Sequence, residues 1–589
     1  MSLSTDLQDA QKALQKYWNF SDFRIQQKEV LEAVLSGKDV IALLATGGGK
    51  SLCYQVPALL YDGITIVISP LISLMEDQVM ALKARGIKAE AIHSGHTYAT
   101  IDRIMDNCLF GDIKLLYVSP ERLMHEVFQE RAHKLQVDLI AIDEAHCISQ
   151  WGHDFRPSYL KISEVLSGRR NTQIIALTAT ATPAVIDEIR AQLPSRDLTL
   201  IKDTFLRDNL SITLHKSEDK VGEILELLKN TDKALIYARS RRNVQMISKT
   251  LINHDLNSGY YHAGLAYKEK KKIQEEFKSG KLDIVVATNA FGMGIDVSDI
   301  RHVIHYDIPP SIEEYYQEIG RAGRDGDQSR ATLLLSKNNI SYAKRRVEEA
   351  YPPFDQAKKF YKSLHVFYQI GIGEGTGIIK PLDMELLARQ FGMNKREISH
   401  LLGLWQKIGV IETSDQHKAS TYIKIQRSPA ELREEQERHQ QYLPVLDYLM
   451  RNYEYLFDGW LRLNMEKDLR RLRLSKQRYD IILEELLHHG IIKLYRLSAG
   501  RMVSFTEDRV SMRYLDDFET KYRVLKERAE KRWKGVEQFL DTKRCRMATI
   551  LDYFDEKNTV VCGKCDICLD MDGKSQKLDL DEIEDLERR

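Results

Sequence analysis

The chain has 589 residues, which is enough for about three to five domains that each bury a core. Lys plus Arg equals Asp plus Glu, at 86 each, so the net charge neither indicates nor excludes a nucleic-acid partner. No apolar run reaches the roughly 18–20 residues that a membrane-spanning helix needs. Residues Met1 to Gln11 lack the apolar core of a signal peptide. We therefore expect a cytoplasmic protein that does not bind membranes.

Short apolar runs alternate with amphipathic helical patterns over about the first 340 residues. Such alternation is typical of parallel sheets that are covered by helices on both faces. A break near Asp203–Asn209 divides the runs between two sheets, and we expect functional loops at the carboxyl ends of the strands. The predicted strands are Val40–Leu44, Ile64–Ile68, Lys114–Val118, Leu139–Ile142, Ile174–Leu177, Ala234–Tyr237, Ile284–Ala287 and Val303–Tyr306.

The chain beyond about residue 345 is mainly helical and contains an internal repeat. Leu382–Glu412 aligns without gaps on Leu463–Lys493, and each copy contains two helices, the second capped by Asn394 or Ser475. Two strands follow each helix pair, so the pattern predicts two tandem winged-helix modules, with a polar helix that begins at Ser428 between them. The predicted wings are hairpins of residues 410–413 with 421–425 and of 491–497 with 502–505.

A glycine-rich segment, Ala45–Ser51, follows the first predicted strand and precedes a helical pattern. Glycines let backbone N–H groups approach a phosphate chain, while the Lys50 ammonium can reach the outer phosphates and the Ser51 hydroxyl can bind Mg²⁺. Leu44 stands where such loops usually begin with glycine, so an ordinary glycine-rich turn is the alternative. The segment predicts a site for ATP with Mg²⁺.

Two carboxylates and two arginines complete this predicted hydrolytic site. Asp143 and Glu144 end a predicted strand, where the first can hold Mg²⁺ and the second can polarise the attacking water. Arg321 and Arg324 are three residues apart, so we expect them on one helical face, reaching the γ-phosphate as arginine fingers near Gln317. Taken alone, an acidic helix start and a solvated basic face are the alternatives.

Four cysteines near the end of the chain have the spacing of a metal site. Three of them lie in the segment Cys-Gly-Lys-Cys-Asp-Ile-Cys, and the complete set is Cys545, Cys562, Cys565 and Cys568. Four thiolates suit tetrahedral Zn²⁺, and a site without an open position is structural. Reduced free cysteines are the alternative.

Further motifs occur in the order of one helicase family. They are Phe23–Gln27, Ser69–Leu71, Ser119–Arg122, the aromatic-rich stretch Cys147–Pro157 directly after Asp143–His146, Ala176–Thr182, Tyr261–Leu265, Thr288–Asp296 and Gln317–Arg324. Over residues 20–330 the chain therefore resembles the RecQ family of ATP-dependent DNA helicases, in superfamily 2. The zinc spacing near the C-terminus is similar to the family's as well.

The resemblance implies a role for each motif. The nucleotide-binding residues that it implies are Arg24, Gln27, Thr46, Gly47, Gly48, Gly49, Lys50, Ser51 and Asp296. The DNA-binding residues that it implies are Ser69, Trp151, His153, Phe155, Arg156 and Thr288. In the aromatic-rich stretch, rings can stack on bases and cations can meet phosphates.

The implied fold is α/β, with two RecA-like parallel-sheet motor domains before a mainly helical region that carries winged-helix modules and a zinc-binding helical hairpin. The predicted division is 1–205 and 206–345 for the two motor domains, 346–427 and 428–510 for the two winged-helix modules, 511–570 for the hairpin, and 571–589 for an acidic flexible tail. This order departs from the family, in which the zinc site directly follows the motor.

The implied function is an ATP-dependent DNA helicase that moves 3′-to-5′ on single-stranded DNA and unwinds tailed or branched duplexes in repair and recombination. Such a protein is nucleoid-associated, and single-strand-binding or repair proteins are candidate partners. The predicted wing turns carry no aromatic wedge, so a DNA-stimulated translocase or strand-remodelling protein with weak unwinding is the alternative. An ATP-gated DNA-binding scaffold is a further alternative, which the complete set of hydrolytic residues disfavours.

Overall fold

The computed structural model divides into two compact units, residues 1–348 with 524–589 and residues 349–523. It describes residues 3–45, 47–93, 95–96, 98–123, 126–149, 157–160, 162–163, 172–193, 197–229, 233–292, 297–417, 420–427, 431–432, 442–453, 456, 461–497, 500–556 and 561–571. The predicted helix start at Ser428 and all of the predicted tail 571–589 except Met571 lie outside these residues. Among the helices that are described, none is both long and apolar enough to cross a membrane.

The first sheet of the larger unit is fully parallel and has seven strands in the order β3-β4-β2-β5-β6-β1-β7. Its strands are β1 (Val40–Leu43), β2 (Ile64–Ile68), β3 (Ala89–Ile92), β4 (Leu115–Val118), β5 (Val137–Ile142), β6 (Gln173–Thr178) and β7 (Thr199–Lys202). The helices are α1 (Leu3–Trp18), α2 (Ile25–Leu35), α3 (Leu52–Leu60), α4 (Ile72–Ala84), α5 (Tyr98–Phe110), α6 (Pro120–Leu123), α7 (Glu126–Ala132), α8 (Pro157–Leu160) and α9 (Pro183–Gln192). Apart from the edge strand β7, the strands are largely buried on both faces, which explains their continuous apolar runs.

The second sheet is also fully parallel, with six strands in the order β10-β11-β9-β12-β13-β8. Its strands are β8 (Leu210–Lys216), β9 (Ala234–Tyr237), β10 (Ser258–Tyr261), β11 (Ile284–Ala287), β12 (His302–His305) and β13 (Ser329–Leu335). The helices are α10 (Lys220–Leu228), α11 (Arg241–Asn253), α12 (Tyr267–Lys278), α13 (Ile312–Ile319) and α14 (Asn339–Glu349). The predicted pair of parallel sheets, divided at residues 203–209, is confirmed.

The smaller unit contains the two repeat copies. Its elements are α15 (Phe354–Phe367), β14 (Ile379–Pro381), α16 (Met384–Phe391), α17 (Lys395–Ile408), β15 (Ile411–His417), β16 (Ser420–Ile425), α18 (Leu443–Asn452), β17 (Leu461–Arg462), α19 (Met465–Leu472), α20 (Lys476–His488), β18 (Ile492–Leu497) and β19 (Gly500–Phe505). Asn394 and Ser475 accept N-cap hydrogen bonds at the starts of α17 and α20, as the repeat predicted.

The predicted wing hairpins are wrong, because the two copies exchange strands. β15 pairs with β19, with Ile411 opposite Phe505, and β16 pairs with β18, with Ile425 opposite Ile492. The side chains of β16 therefore pack in the core of the second copy, beside Tyr479 of α20. β16 and β19 have thus changed places relative to the modules predicted at 346–427 and 428–510. Alternation along a strand specifies which face is buried, and both copies offer an equivalent apolar face.

The last segment returns to the larger unit. α21 (Asp516–Asp541) runs on from the smaller unit, and α22 (Arg546–Tyr553) and α23 (Asp566–Met571) follow it. Trp533 and Phe539 of α21 and Phe554 after α22 belong to the same apolar core as the second sheet. The cysteine-bearing segment therefore packs on the second sheet, although the smaller unit separates the two in sequence.

Candidate nucleotide site and zinc centre

The glycine-rich loop follows β1, at the carboxyl end of a central strand. Gly47 and Gly49 have φ values of +79° and +73°, in the left-handed region that favours glycine. A Cβ at Gly48 would lie 2.8 Å from the carbonyl oxygen of Ala45, and one at Gly49 would lie 2.1 Å from Nε2 of Gln27. The loop therefore requires glycine at these positions for both backbone conformation and space. Thr46 lies outside the described residues.

Arg24 and Gln27, which precede and begin α2, both contact this loop. Nη1 of Arg24 donates to the carbonyl of Gly47 at 2.8 Å, and Nε2 of Gln27 donates to the carbonyls of Gly48 and Gly49 at 3.0 and 3.2 Å. Oε1 of Gln27 accepts from the backbone N–H of Arg24 at 3.0 Å, which holds the pair together. These two predicted nucleotide residues thus lie directly against the loop.

Lys50 lies among the predicted hydrolytic carboxylates. Burial lowers its pKa, while the charges of Glu144 and Asp143 act in the opposite direction. Burial, strengthened by the neighbouring Glu144, raises the pKa of Asp143 to about 7. The carboxylates of Asp143 and Glu144 and the hydroxyl of Ser51, which precedes α3, are the hard oxygen donors that Mg²⁺ prefers. The buried ammonium of Lys50 offers a partner for phosphate. The residues present therefore fit a magnesium–nucleotide site.

The side chain of Ser69 faces this cluster. Ser69 is 1% exposed, and its hydroxyl lies 3.5 Å from Oδ2 of Asp143. The contact with DNA that its motif implies stays a prediction.

A buried histidine links the carboxylates to the end of β6. Nδ1 of His146 lies 2.9 Å from the hydroxyl of Thr178 and 3.3 Å from Oε2 of Glu144. Glu144 itself adopts left-handed backbone angles, with φ 49° and ψ 48°. A non-glycine residue held in that region is typical of a functional site.

Arg321 and Arg324 lie beyond α13, which ends at Ile319, so the prediction that they share a helical face is wrong. Gly320 ends the helix, and Gly323, which lies between the two arginines, has a left-handed φ of +59°. The guanidinium of Arg321 donates to the carbonyl of Gly292. Arg324 instead reaches the first sheet, because a Cβ at Gly47 would lie 3.1 Å from its Cγ.

A cavity of about 810 Å³ lies between α4 and the second sheet and contains Gln317 and Arg321 in its wall. Near it, Nη1 of Arg239 donates to Oε1 of Glu314 at 2.6 Å, and Asn289 donates to the same oxygen at 3.2 Å. No sequence motif singled out Arg239, although it lies two residues after β9, where functional residues are expected in a parallel sheet.

The four cysteines come together in space. Their sulfur atoms all lie within 4.8 Å of one another, and Sγ of Cys562 and Sγ of Cys568 are 3.9 Å apart. Tetrahedral Zn²⁺ with Zn–S bonds of about 2.3 Å places its sulfurs about 3.8 Å apart. Cys545, Cys565 and Cys568 are buried, and Sγ of Cys545 and of Cys565 each accept a backbone N–H bond at 3.4 Å. The donor set fits a closed structural zinc site.

Three family models match the chain in order. The DEAD/DEAH box helicase model matches residues 24–189, and the helicase conserved C-terminal domain matches residues 219–326. The RecQ zinc-binding model matches residues 506–569, which include all four cysteines.

Three bacterial relatives extend this match. The ATP-dependent DNA helicase RecQ of Haemophilus influenzae is 41% identical over 57% of this chain and 55% of its own length, and that of Bacillus subtilis is 43% identical over 58% and 59%. The probable ATP-dependent DNA helicase RecS of Bacillus subtilis is 37% identical over 57% of this chain and 69% of its own length. The chain belongs to the RecQ family. It spans little more than half the length of the RecQ relatives themselves.

The residues expected to contact DNA in a RecQ protein are only partly described. Trp151, His153, Phe155 and Arg156 lie outside the described residues, as does the predicted nucleotide residue Asp296. Thr288 directly follows β11 and is half-buried, and its hydroxyl accepts the backbone N–H of Ala290 at 3.4 Å. Thr288 therefore lies at the carboxyl end of a strand of the second sheet, and its contact with DNA stays a prediction.

Proposed function

We propose that this RecQ-family chain hydrolyses ATP to move 3′-to-5′ along single-stranded DNA and to separate duplexes that carry a single-stranded tail or branch. The proposal assigns it to DNA repair and recombination, in the cytoplasm at the nucleoid. Single-strand-binding or repair proteins are its proposed partners. Family membership supports the chemistry, and the arrangement of the nucleotide site supports an active motor.

One observation carries the proposal: Arg324 of the second sheet lies against the phosphate loop of the first. A Cβ at Gly47 would come within 3.1 Å of its side chain, while Lys50, Asp143 and Glu144 lie on the loop's own sheet. An arginine supplied from the opposite domain stabilises charge on a transferring phosphoryl group. Hydrolysis can therefore depend on how the two domains are placed, which is the requirement of a motor.

Each residue has a proposed task in hydrolysis. Lys50 binds the outer phosphates, and Asp143 with the Ser51 hydroxyl would hold Mg²⁺, which neutralises phosphate charge when bound. Glu144 orients and polarises the attacking water. Arg324 stabilises the charge that develops on the γ-phosphate. In addition, Arg24 and Gln27 hold the loop and contact the base, and Gln317, Arg321 and Asp296 complete the site from the second domain.

DNA contacts are proposed for Ser69, for Thr288 and for the aromatic-rich stretch with Trp151, His153, Phe155 and Arg156. The second repeat copy adds a further candidate surface, since its α19 and the start of α20 expose six cations. These cations are Lys467, Arg470, Arg471, Arg473, Lys476 and Arg478. For the working division of the chain, we keep 1–205 and 206–345 as the motor domains and 511–570 as the zinc-binding hairpin.

The test is unwinding of a short duplex with either a 3′ or a 5′ single-stranded tail, in Mg²⁺–ATP. We expect unwinding from the 3′ tail alone and its loss in Lys50→Ala. Lys38→Ala is the matched control, because Lys38 is an exposed lysine just before the same strand. Unwinding from the 5′ tail, or a Lys50→Ala protein that unwinds normally, would contradict the proposal.

A translocase or strand-remodelling protein with weak unwinding is the second candidate. The strand exchange favours it, because among the described strands β15 pairs with β19 and β16 with β18, so neither predicted wing is a hairpin that could act as a wedge. In the same assay, DNA-stimulated ATP hydrolysis without unwinding from either tail would favour this candidate.

A further inference from the structure

The segment between the two sheets, residues 203–209, is bonded to the turn that carries the arginine finger. Nη2 of Arg207 donates to the carbonyls of Ala322 and Gly323 at 2.9 and 3.1 Å, and its Nη1 donates to that of Gly320 at 3.4 Å. Nδ2 of Asn209 donates to the carbonyl of Gly323 at 2.7 Å. Two side chains of the connecting segment therefore bind three backbone carbonyls of this turn.

These hydrogen bonds fix the backbone around Arg324, where no helix or strand does so. α13 ends at Ile319, and Arg324 lies in the turn beyond it, so helical hydrogen bonds do not fix its position. A Cβ at Gly323 would lie 2.5 Å from Nδ2 of Asn209, which shows how closely the segment approaches the turn. The backbone N–H of Gly323 donates to Ile300 at 2.9 Å on the sheet side. The turn is therefore clamped between the second sheet and the connecting segment.

The zinc-binding segment holds the other side of the connecting segment. Oε2 of Glu556 accepts the backbone N–H of Phe205 at 2.8 Å, and the ring of Phe554 stacks on that of Phe205 with centroids 4.2 Å apart. Nζ of Lys202 donates to the carbonyl of Phe554 at 3.1 Å. The hydroxyl of Tyr316 in α13 donates to the carbonyl of Phe205 at 2.8 Å. Every step of this path is a direct contact.

We propose that Arg207 and Asn209 are positioning residues for Arg324, and that the zinc-binding segment buttresses them through Phe554 and Glu556. The inference rests on the proposed ATP hydrolysis and assigns two further residues to it. Neither residue touches the nucleotide loop in any described contact, so each acts through the turn. The zinc-binding segment then has a task in hydrolysis besides its own folding.

Arg207→Lys is the informative variant. Lysine keeps the charge but lacks the planar fork that reaches several carbonyls at once. We expect kcat for ATP hydrolysis to fall about tenfold to a hundredfold, because small misplacements of a catalytic group cost up to about a hundredfold. The Kd for ADP should stay unchanged, because Lys50 and the glycine-rich loop are untouched. Arg190→Lys is the control, since Arg190 is an exposed residue of α9 whose guanidinium lies 3.9 Å from the Asp187 carboxylate.

A transition-state analogue separates positioning from general damage. In Arg207→Lys, affinity for ADP with aluminium fluoride should fall with kcat, while affinity for ADP alone and the melting temperature stay at wild-type values. The decisive arm is a double-mutant cycle with Arg324→Ala. If Arg207 acts through Arg324, adding Arg207→Lys to Arg324→Ala should lower kcat no further. Multiplicative losses in the double variant would overturn the proposal.

Two more variants keep the test decisive. Asn209→Ala should reproduce the loss of analogue affinity at the same turn if Arg207→Lys proves unstable. Glu556→Gln should show a smaller loss in the same direction with its zinc content unchanged. Wild-type kcat and analogue affinity in both Arg207→Lys and Asn209→Ala would refute the inference. A wild-type chain without any ATP hydrolysis would instead refute the proposed function, so the two failures are distinguishable.

Discussion

At the proposed hydrolytic site, the backbone of Glu144 adopts an uncommon conformation for a non-glycine residue. It has left-handed backbone angles just after β5, and its carboxylate lies 3.3 Å from Nδ1 of His146. Burial lowers the pKa of Lys50, and the charge of Glu144 opposes that shift. Such a backbone conformation costs of the order of 1 kcal/mol or more and persists where the side chain's direction matters. We expect Glu144→Gln to keep ATP binding and to lower kcat about 10²- to 10⁴-fold, the range of a general base.

Steady-state ATP hydrolysis measures kcat, and equilibrium binding of a fluorescent ATP analogue measures the affinity for nucleotide. Glu29→Gln is the control, because Glu29 is an exposed acid on α2. Near wild-type hydrolysis in Glu144→Gln would mean that another group activates the water.

The buried side chain of His302 should make the stability of the second domain depend on pH. It is buried, its Nε2 lies 2.8 Å from the Thr332 hydroxyl, and burial lowers its pKa to about 3. In the unfolded chain the His302 imidazole is protonated below about pH 6.5, whereas in the folded chain it stays neutral down to about pH 3. The free energy of unfolding therefore decreases as the pH falls from about 6.5 toward 3. At pH 5 the loss is about 2 kcal/mol. Urea unfolding should show a smaller loss between pH 7 and 5 in His302→Asn, whereas exposed His254→Asn should behave as wild type.

Residues at strand ends were predictable, and residues that act through tertiary contacts were not. Lys50, Asp143 and Glu144 directly follow or end apolar runs, so spacing alone brought them to one sheet edge. Arg207 and Asn209 lie in a break between sheets, and their partners are carbonyls more than 100 residues away. Backbone carbonyls have no residue identity, so no sequence pattern indicates such bonds.

At the scale of elements, the exchanged strands of the smaller unit can be trapped chemically. Glu412 and Ser504 face each other across β15 and β19. Directly opposed residues of antiparallel strands have Cβ atoms about 4.5–5.5 Å apart, close to disulfide range. We expect Glu412→Cys with Ser504→Cys to form a disulfide on mild oxidation, detected as a linked peptide by mass spectrometry. Thr413→Cys with Lys424→Cys is the control, because a local hairpin would pair those positions. A link in the control and none in the first pair would contradict the exchange.

The helices of this unit were easier to predict than its strand partners. Asn394 and Ser475 mark helix starts by local hydrogen bonds, which sequence records directly. Ile411 and Ile425 identify buried strand faces, but either copy can supply the partner. A repeat therefore makes the fold of each copy more predictable and the pairing between copies less so.

The zinc-binding segment should lose its metal and its hold on the connecting segment together. We expect one zinc per chain by elemental analysis, and its loss in Cys565→Ser, because a four-thiolate site cannot stay closed with three. Cys108→Ser is the matched control, since Cys108 lies outside the cluster. Hydrogen exchange at Phe205, whose N–H is bonded to Glu556, should rise in Cys565→Ser alone. Full zinc content in Cys565→Ser would show that other residues hold the metal.

At the scale of the whole molecule, sequence order and spatial order differ. The zinc-binding segment follows the smaller unit in sequence, yet it belongs to the compact unit of both parallel sheets. The contact is direct, because the hydroxyl of Ser211 in β8 donates to the carbonyl of Lys564 in the zinc-binding segment at 2.6 Å. Residues 349–523 are thus an insertion between a motor and its zinc-binding segment. Sequence order had suggested instead that the zinc site was displaced from the motor.

An insertion of this kind can be removed without cutting the core that it interrupts. Lys344 of α14 and Glu537 of α21 lie 4.0 Å apart on the motor side of the junctions, so the two helices already run close to each other there. Residue 524 lies about 20 Å along α21 from Glu537, so residues 348 and 524 are joined by a flexible Gly/Ser linker of about twenty residues, which spans roughly 22–27 Å. The rest of α21 keeps Trp533 and Phe539 in the motor core.

We expect the shortened chain to fold, to bind one zinc and to retain DNA-stimulated ATP hydrolysis, because every hydrolytic residue and every contact of the connecting segment remains. Unwinding of the 3′-tailed duplex should fall, because the deletion removes the exposed cations of α19 and α20. Parallel assays of hydrolysis, zinc content and unwinding against the full chain measure the three separately. A shortened chain that binds zinc but hydrolyses no ATP would mean that the inserted unit takes part in the motor's cycle and is more than an accessory to it.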